Sequence, residues 1–335
     1  MTGPDASTLN TTRPQPGAWF QQTVGAQNLS LLVALLILVA IFGTLRPDVF
    51  FTPRNLTNIG LAVTMLGILA MAQTVVIVSG GLDISVGAIV GVSSVSAALV
   101  LQQLDSTPLG IAAALVAGVL LGLVNGLIIT VGRVNAIIAT LGTLAAFRGI
   151  GLIMTDGRSV SVFSPGFRTI GTGQFLFLPI PIWILLAVMS ALFVFLRYTV
   201  LGRNVYAIGG NPVVARLAGL NIRRYQLGIY MLSGFAAGLA GIILIGRTGS
   251  GHPISGSEGL ELEAITAAIL GGAALAGGKG TIVGALLGVL ILGTLTNGMI
   301  LTGVPAFYQL LAKGALLILA VVIQEYQLRR TGESG

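Results

Sequence analysis

Ten stretches of this chain are apolar over about the length a helix needs to cross a bilayer, and they dictate the solvent in which it folds. They fall at 29–45, 56–78, 84–103, 108–131, 134–154, 179–197, 225–246, 261–277, 281–301 and 305–324. A run of about 20 apolar residues spans the hydrocarbon core as a helix, and there every backbone N–H and C=O must be bonded within the protein. Only 8% of the 335 residues are charged, against about 25% in a soluble domain, which agrees with that reading. The expected fold is therefore all-α, a polytopic transmembrane helical bundle of about ten spans over residues 29–324. A polar tail, 1–28, precedes it and a short tail, 325–335, follows. The third and eighth stretches are short and rich in Gly, Ser and Ala, so nine or eleven spans stay open. The first is expected to be a retained span, since little positive charge precedes it and no small-residue cleavage site follows.

Charge narrows the function. The 17 basic residues are scattered among apolar spans rather than clustered with aromatics, which argues against a nucleic-acid partner. There is no cysteine, and His252 is the only histidine, which argues against a histidine-based metal site. With the N-terminus inside, cytoplasmic segments hold Arg13, Arg133, Arg197, Arg203, Arg216, Arg223, Arg224, Lys279, Arg329 and Arg330. Outer segments hold only Arg46, Arg54, Arg158, Arg168 and Arg247, so both termini are expected in the cytoplasm. Asp48, Asp105, Asp156, Glu258, Glu261 and Glu263 then fall outside.

Small residues recur every fourth position at Gly118, Gly122 and Gly126 and at Gly234 and Gly238, a spacing that lets helix backbones approach closely. GLVNGLIIT (122–130) echoes TLTNGMILT (294–302) five spans later, which would make an inverted repeat. SGGLDISVGAIVGV (79–92) and AGGKGTIVGALLGV (276–289) echo each other six spans apart with like orientation. The two echoes cannot define one repeat.

The longest cytoplasmic stretch, 198–224, carries the coupling chemistry if any segment does. Within it, Asn211 can cap a short helix, Pro212 suits its first position, and Gly219 can end it in a left-handed conformation. A helix of two turns is marginal in water and needs a surface to lie on. Val213, Val214, Ala215, Leu217 and Arg216 would fit a groove on a soluble partner, or the helix would rest on its own bundle or on lipid headgroups. No engine is visible. GGAALAGGKGT (271–281) lacks the spacing of a phosphate-binding loop, and Asp83, Glu261 and Glu263 lie at span ends rather than at mid-membrane. Arg148 and Lys313 sit within spans, where each is costly unless it faces the bundle interior. Each is either a structural partner or part of a pore or gate.

SGGLDISVGAIVG (79–91), LGRNVYAIGGNPVVARLAGLN (201–221), LELEAITAAILGGAALAGGKGTIVGALLG (260–288) and YQLLAKGALLILAVVI (308–323) together resemble the permease subunit of ribose-type ATP-binding-cassette monosaccharide importers. The resemblance implies a bacterial inner-membrane protein with ten helices in a cobalamin-importer-like permease fold. It implies three partners: an ATPase subunit, usually one chain with two nucleotide-binding halves; an extracytoplasmic sugar-binding protein; and a second permease, identical or a sister chain. Asn211 to Gly219 match the family's coupling helix, its Asp motif falls on Asp83, and its Gly-rich turn on Gly277, Gly278 and Lys279. No cofactor is expected on this chain, ATP and Mg being the partner's. Candidates for the sugar pathway or gate are Gln73, Asp83, Asn125, Arg148, Asn297, Gln309 and Lys313, although buried amides also serve to tie helices together. The alternatives are a stand-alone secondary transporter or channel for a small polar solute, and an intramembrane enzyme, for which no cluster of His, Cys, Asp or Glu is present.

Overall fold

A computed structural model describes residues 18–330, and side chains over 28–322. Expectations for residues 1–17 and 331–335 lie outside the described residues. The chain forms α1 (Ala18–Leu45), α2 (Pro47–Phe50), α3 (Pro53–Val78), α4 (Val86–Leu104), α5 (Thr107–Thr130) and α6 (Ala136–Thr155). Then follow α7 (Pro165–Thr172), α8 (Ile180–Tyr198), α9 (Val200–Gly210), α10 (Pro212–Leu217), α11 (Ile222–Thr248), α12 (Leu260–Leu270), α13 (Ile282–Leu301) and α14 (Ala306–Arg330). Among the described residues eight helices, α1, α3, α4, α5, α6, α8, α11 and α13, are long and apolar enough to cross a membrane, and α14 adds the apolar stretch Ala306–Val322.

Local chemistry sets the boundaries. The Thr52 hydroxyl accepts from the Asn55 amide at the start of α3, ahead of Pro53 in the first turn. Asn135, Asn221 and Thr281 cap α6, α11 and α13 in the same way. Asp105 and Asp156 end α4 and α6 in the left-handed conformation that short polar side chains tolerate.

Helices α3, α4 and α11 form the core, with Ile68, Leu69, Val75, Ile89, Ala237 and Ile243 fully buried. The glycine spacings act as expected where α5 crosses α11. A Cβ on Gly118 would strike the Gly234 carbonyl, and one on Gly122 the Tyr230 carbonyl, so the two backbones touch. The same device joins α12 to α13, where Gly271 meets Gly284 and Gly288 meets the Ala267 carbonyl.

The eighth apolar stretch, expected as a span at 261–277, is not one. Its helix is α12, 11 residues long, or about 16 Å at 1.5 Å per residue, half of a bilayer core about 30 Å thick. A non-helical leg leads into it along α4. Gly251 pairs with Val160 in a two-residue ladder, the His252 amide donates to the Ser94 hydroxyl at 3.1 Å, Pro253 lies over Gly91, and Glu261 reaches Gly87. Such backbone is tolerated at depth only where protein buries it, and small residues on α4 make room for it. Glu261 therefore does not lie in an outer loop; it is 5% exposed between helices. Hydropathy could not register this, because Ala and Gly score as apolar whether they form a span or a short helix and a turn.

Candidate functional site

Two short helices protrude beyond the end of α8, where the sequence pointed to one. In α9 the Tyr206 hydroxyl donates to the Gly280 carbonyl at 2.7 Å, and burial pushes its pKa up to about 12, against the opposing pull of Arg197, so it stays a donor. Asn211 then caps α10, its side-chain oxygen accepting from the Val213 and Val214 amides at 3.0 Å each. Pro212 takes the first position, and Gly219, at φ +84°, ends the turn. Only Ala215 is buried; Val213, Val214, Arg216 and Leu217 are exposed, Leu217 to 83%. The helix therefore presents an apolar face and a guanidinium outward.

The end of α9 is locked to two other segments. Gly209 touches the Val78 carbonyl at the end of α3 and the Gly278 amide after α12, and Gly277 approaches the Gly209 carbonyl. The Gly278 amide donates to the Val78 carbonyl at 2.9 Å. Gly277 and Gly278 hold positive φ, at 88° and 72°, which is where a glycine has no steric cost. The Gly-rich turn is thus a joint where the backbones at the end of α9, at the end of α3 and in the turn after α12 meet.

Asp83 and Asn125 come together. Between α3 and α4, Asp83 is fully buried, its Oδ1 accepting from the Ser85 amide at 3.0 Å and the Ser85 hydroxyl at 2.7 Å. Its Oδ2 accepts from the Ser233 hydroxyl of α11 at 2.8 Å. Asn125 of α5 donates to the Ser85 hydroxyl at 2.7 Å, and Tyr230 donates to the Leu82 carbonyl at 3.3 Å. The cluster ties α4, α5 and α11 into one unit. Ser85, Ser233 and Tyr230 were not singled out from the sequence, because lone hydroxyls on apolar helices carry no periodic signal.

Arg148 and Lys313 are paired, and to one helix. Arg148 of α6 meets Glu261 at 2.8 Å, and Lys313 of α14 meets Glu263 at 2.7 Å. The expectation that carboxylates stay out of the interior fails for Glu261 and for Asp83, since the broken segment carries the first inward and the α3–α4 connector buries the second. The remaining candidates scatter. Asn297 exchanges side-chain hydrogen bonds with Asn55 at 2.9 and 3.1 Å, fastening the far end of α13 to α3. Gln309 donates to the Val304 carbonyl at 2.8 Å, a local contact at the start of α14. Gln73, on α3, is fully buried with neither amide atom partnered among the described residues. Those residues include no group of three or more His, Cys, Asp or Glu placed to hold a metal ion.

The chain matches the family described as "Branched-chain amino acid transport system / permease component" over residues 55–321. The ribose import permease protein of Escherichia coli K12 is 42% identical over 296 residues, covering 87% of this chain and 92% of that one. The Bacillus subtilis ribose import permease protein is 42% identical over 300 residues, covering 89% and 92%. An L-arabinose ABC transporter permease protein of Azospirillum brasilense is 39% identical over 324 residues, covering 97% and 94%. No solved structure matches the chain significantly. With eight membrane-length helices, a family match across four-fifths of its length and relatives aligned nearly end to end, the chain belongs to this family of transport-system permeases.

Proposed function

We propose that this chain is the membrane pathway of an ATP-binding-cassette importer for a monosaccharide, a pentose or hexose such as ribose, xylose, arabinose or galactose, in a bacterial inner membrane. The relatives named for ribose and arabinose import support the substrate class. The observation that carries the reading is the capped helix α10, whose exposed Val213, Val214, Leu217 and Arg216 need a partner surface and whose base is interlocked with α3 and α12.

The chain makes and breaks no covalent bond in this scheme. A separate ATPase subunit, with two nucleotide-binding halves in one chain, seats α10 in a cytoplasmic groove and holds the ATP and Mg. Its closure moves α10, and the glycine joint passes that motion to α12. Both termini lie in the cytoplasm on this reading, as the distribution of Arg and Lys favours. On the far side, a cleft lined by Phe163, Arg168 and Arg247 offers one exposed ring and two guanidinium forks to carboxylates of a sugar-binding protein. A second permease subunit, identical or a sister chain, completes the pathway.

The test is Arg216→Glu in the intact complex. It is expected to abolish sugar-stimulated ATP hydrolysis and to cut co-purification of the ATPase at least about tenfold, a loss of about 1.4 kcal/mol in docking. Unchanged co-purification and uptake would remove α10 from the coupling role.

A further inference from the structure

We propose that the hairpin 174–179, between α7 and α8, is a membrane-interface anchor, whose Phe175, Leu176 and Phe177 sit at the boundary of lipid headgroups and acyl chains and fix the depth of α8.

The tip is built against the preference of its own backbone. Gln174 pairs with Pro179 and Phe175 with Leu178, which leaves Leu176 and Phe177 as the two turn residues. Both hold positive φ, at 44° and 61°. A tight turn of this kind suits the twist of paired strands, and Asn and Gly are the residues that take it with least strain. Leu and Phe are poorly suited to it sterically, and water does not favour them there either, since Phe175, Leu176 and Phe177 are exposed to 59%, 57% and 89%. Three adjacent apolar side chains at an exposed tip mark a surface that something apolar covers.

The position of the tip says what covers it. No charged residue occurs from Thr169 to Leu196, between Arg168 and Arg197. Pro179 ends the hairpin and stands directly before the first residue of α8, so tip and transmembrane helix run into each other without a polar break. Helix α8 has 19 residues, about 28 Å at 1.5 Å each, close to a hydrocarbon core about 30 Å thick. Its far end carries Arg197 and the exposed Tyr198, residue types that settle at a membrane–water boundary. Measured from there, Ile180 reaches the opposite boundary, and the hairpin lies at it.

Trp183 joins the two parts. From the first turn of α8 its indole N–H donates to the Phe175 carbonyl at 2.9 Å, and its ring meets that of Phe175 edge-on with centroids 6.1 Å apart. An apolar ring with a bonded N–H is suited to the membrane interface. The returning strand, Leu178–Pro179, lies against α3 and α8 with Pro179 buried, while Gln174 and Phe175 face outward. Because the hairpin is fastened to α8, lipid that holds the tip also holds the depth and tilt of that helix. A soluble partner fits less well: a protein that docks and leaves exposes its landing surface to water in between, and the tip side chains carry no polar group to set a register.

The chain contains no cysteine, so a nitroxide on Phe177→Cys reports a single place. The full chain is reconstituted in vesicles of phosphatidylethanolamine and phosphatidylglycerol, with Arg158→Cys, in an exposed polar loop, as the aqueous reference. Collision of the label with oxygen, which concentrates in lipid, is compared with collision with nickel ethylenediaminediacetate, which stays in water. The oxygen-to-nickel ratio is expected to be about tenfold higher at position 177 than at 158, because the polar chelate is excluded from the acyl boundary. A ratio equal to that at 158 would put the tip in water and overturn the proposal. Slow collision with both reagents would overturn it as well, since a protein surface, such as a second copy of this chain, would then cover the tip. Leu176→Cys, read in the same way, decides the matter if Phe177→Cys fails to insert.

Discussion

The crossing of α5 over α11 and the seam of α12 with α6 and α14 solve the same problem in opposite ways. Helices in lipid gain little from burying apolar side chains against one another, so they need either close backbone contact or polar bonds. At the crossing, glycines bring backbones together and no side chain intervenes. The seam brings together residues far apart in sequence through two ion pairs, on a helix too short to span. A backbone contact is undone by adding a side chain, whereas an ion pair is undone by removing either charge. Helix α12 uses both devices, since Gly271 and Ala267 also meet Gly284 and Gly288 of α13 backbone to backbone.

Glu261→Gln should break the contrast most severely, since it leaves Arg148 without its carboxylate among packed helices. A loss of about 3 kcal/mol is expected, read as a lowered unfolding temperature in detergent. Adding Arg148→Met should recover most of it, and failure of that rescue would mean that charge is not what holds the seam. Gly118→Val comes next, at about 1–3 kcal/mol, because its Cβ meets the Gly234 carbonyl. Gly142→Val on α6, where a Cβ meets nothing, should change the same unfolding temperature hardly at all; equal effects would erase the distinction between the two regions.

Smaller effects test the link between them. Asn211→Ala removes the cap of α10 and should cost about 1 kcal/mol locally, seen as faster hydrogen exchange over 211–219 with the spans unchanged. Tyr206→Phe removes a single donor to the Gly280 carbonyl, worth about 0.5–1.5 kcal/mol. Exchange at Gly277 to Thr281 should quicken, and if it does not, the joint is held by its backbone contacts alone.

Much of this was legible in the residues. The apolar runs marked the spans, the fourfold glycine spacing marked the α5–α11 crossing, and the order Asn211, Pro212, Gly219 marked a capped short helix, because each signal is local or periodic. Arg148 and Lys313 stood out as costly. Their partners did not, since Glu261 lies 113 residues and Glu263 50 residues away, and both looked like outer-loop carboxylates. Asn125 and Asn297 occupy like positions in echoing sequences, yet one joins a buried carboxylate and the other an amide clasp.

Composition and periodicity by themselves determined the solvent, the helices and where most of them start and stop, because those depend on transfer free energy and on hydrogen bonds within a few residues. Only the tertiary structure decided that 249–281 is a leg, a half-helix and a joint rather than a span. The reason is physical: a non-helical backbone survives inside a bundle only when neighbours distant in sequence leave space and supply bonds, here Gly87, Gly91 and Ser94 of α4 and Gly209 of α9.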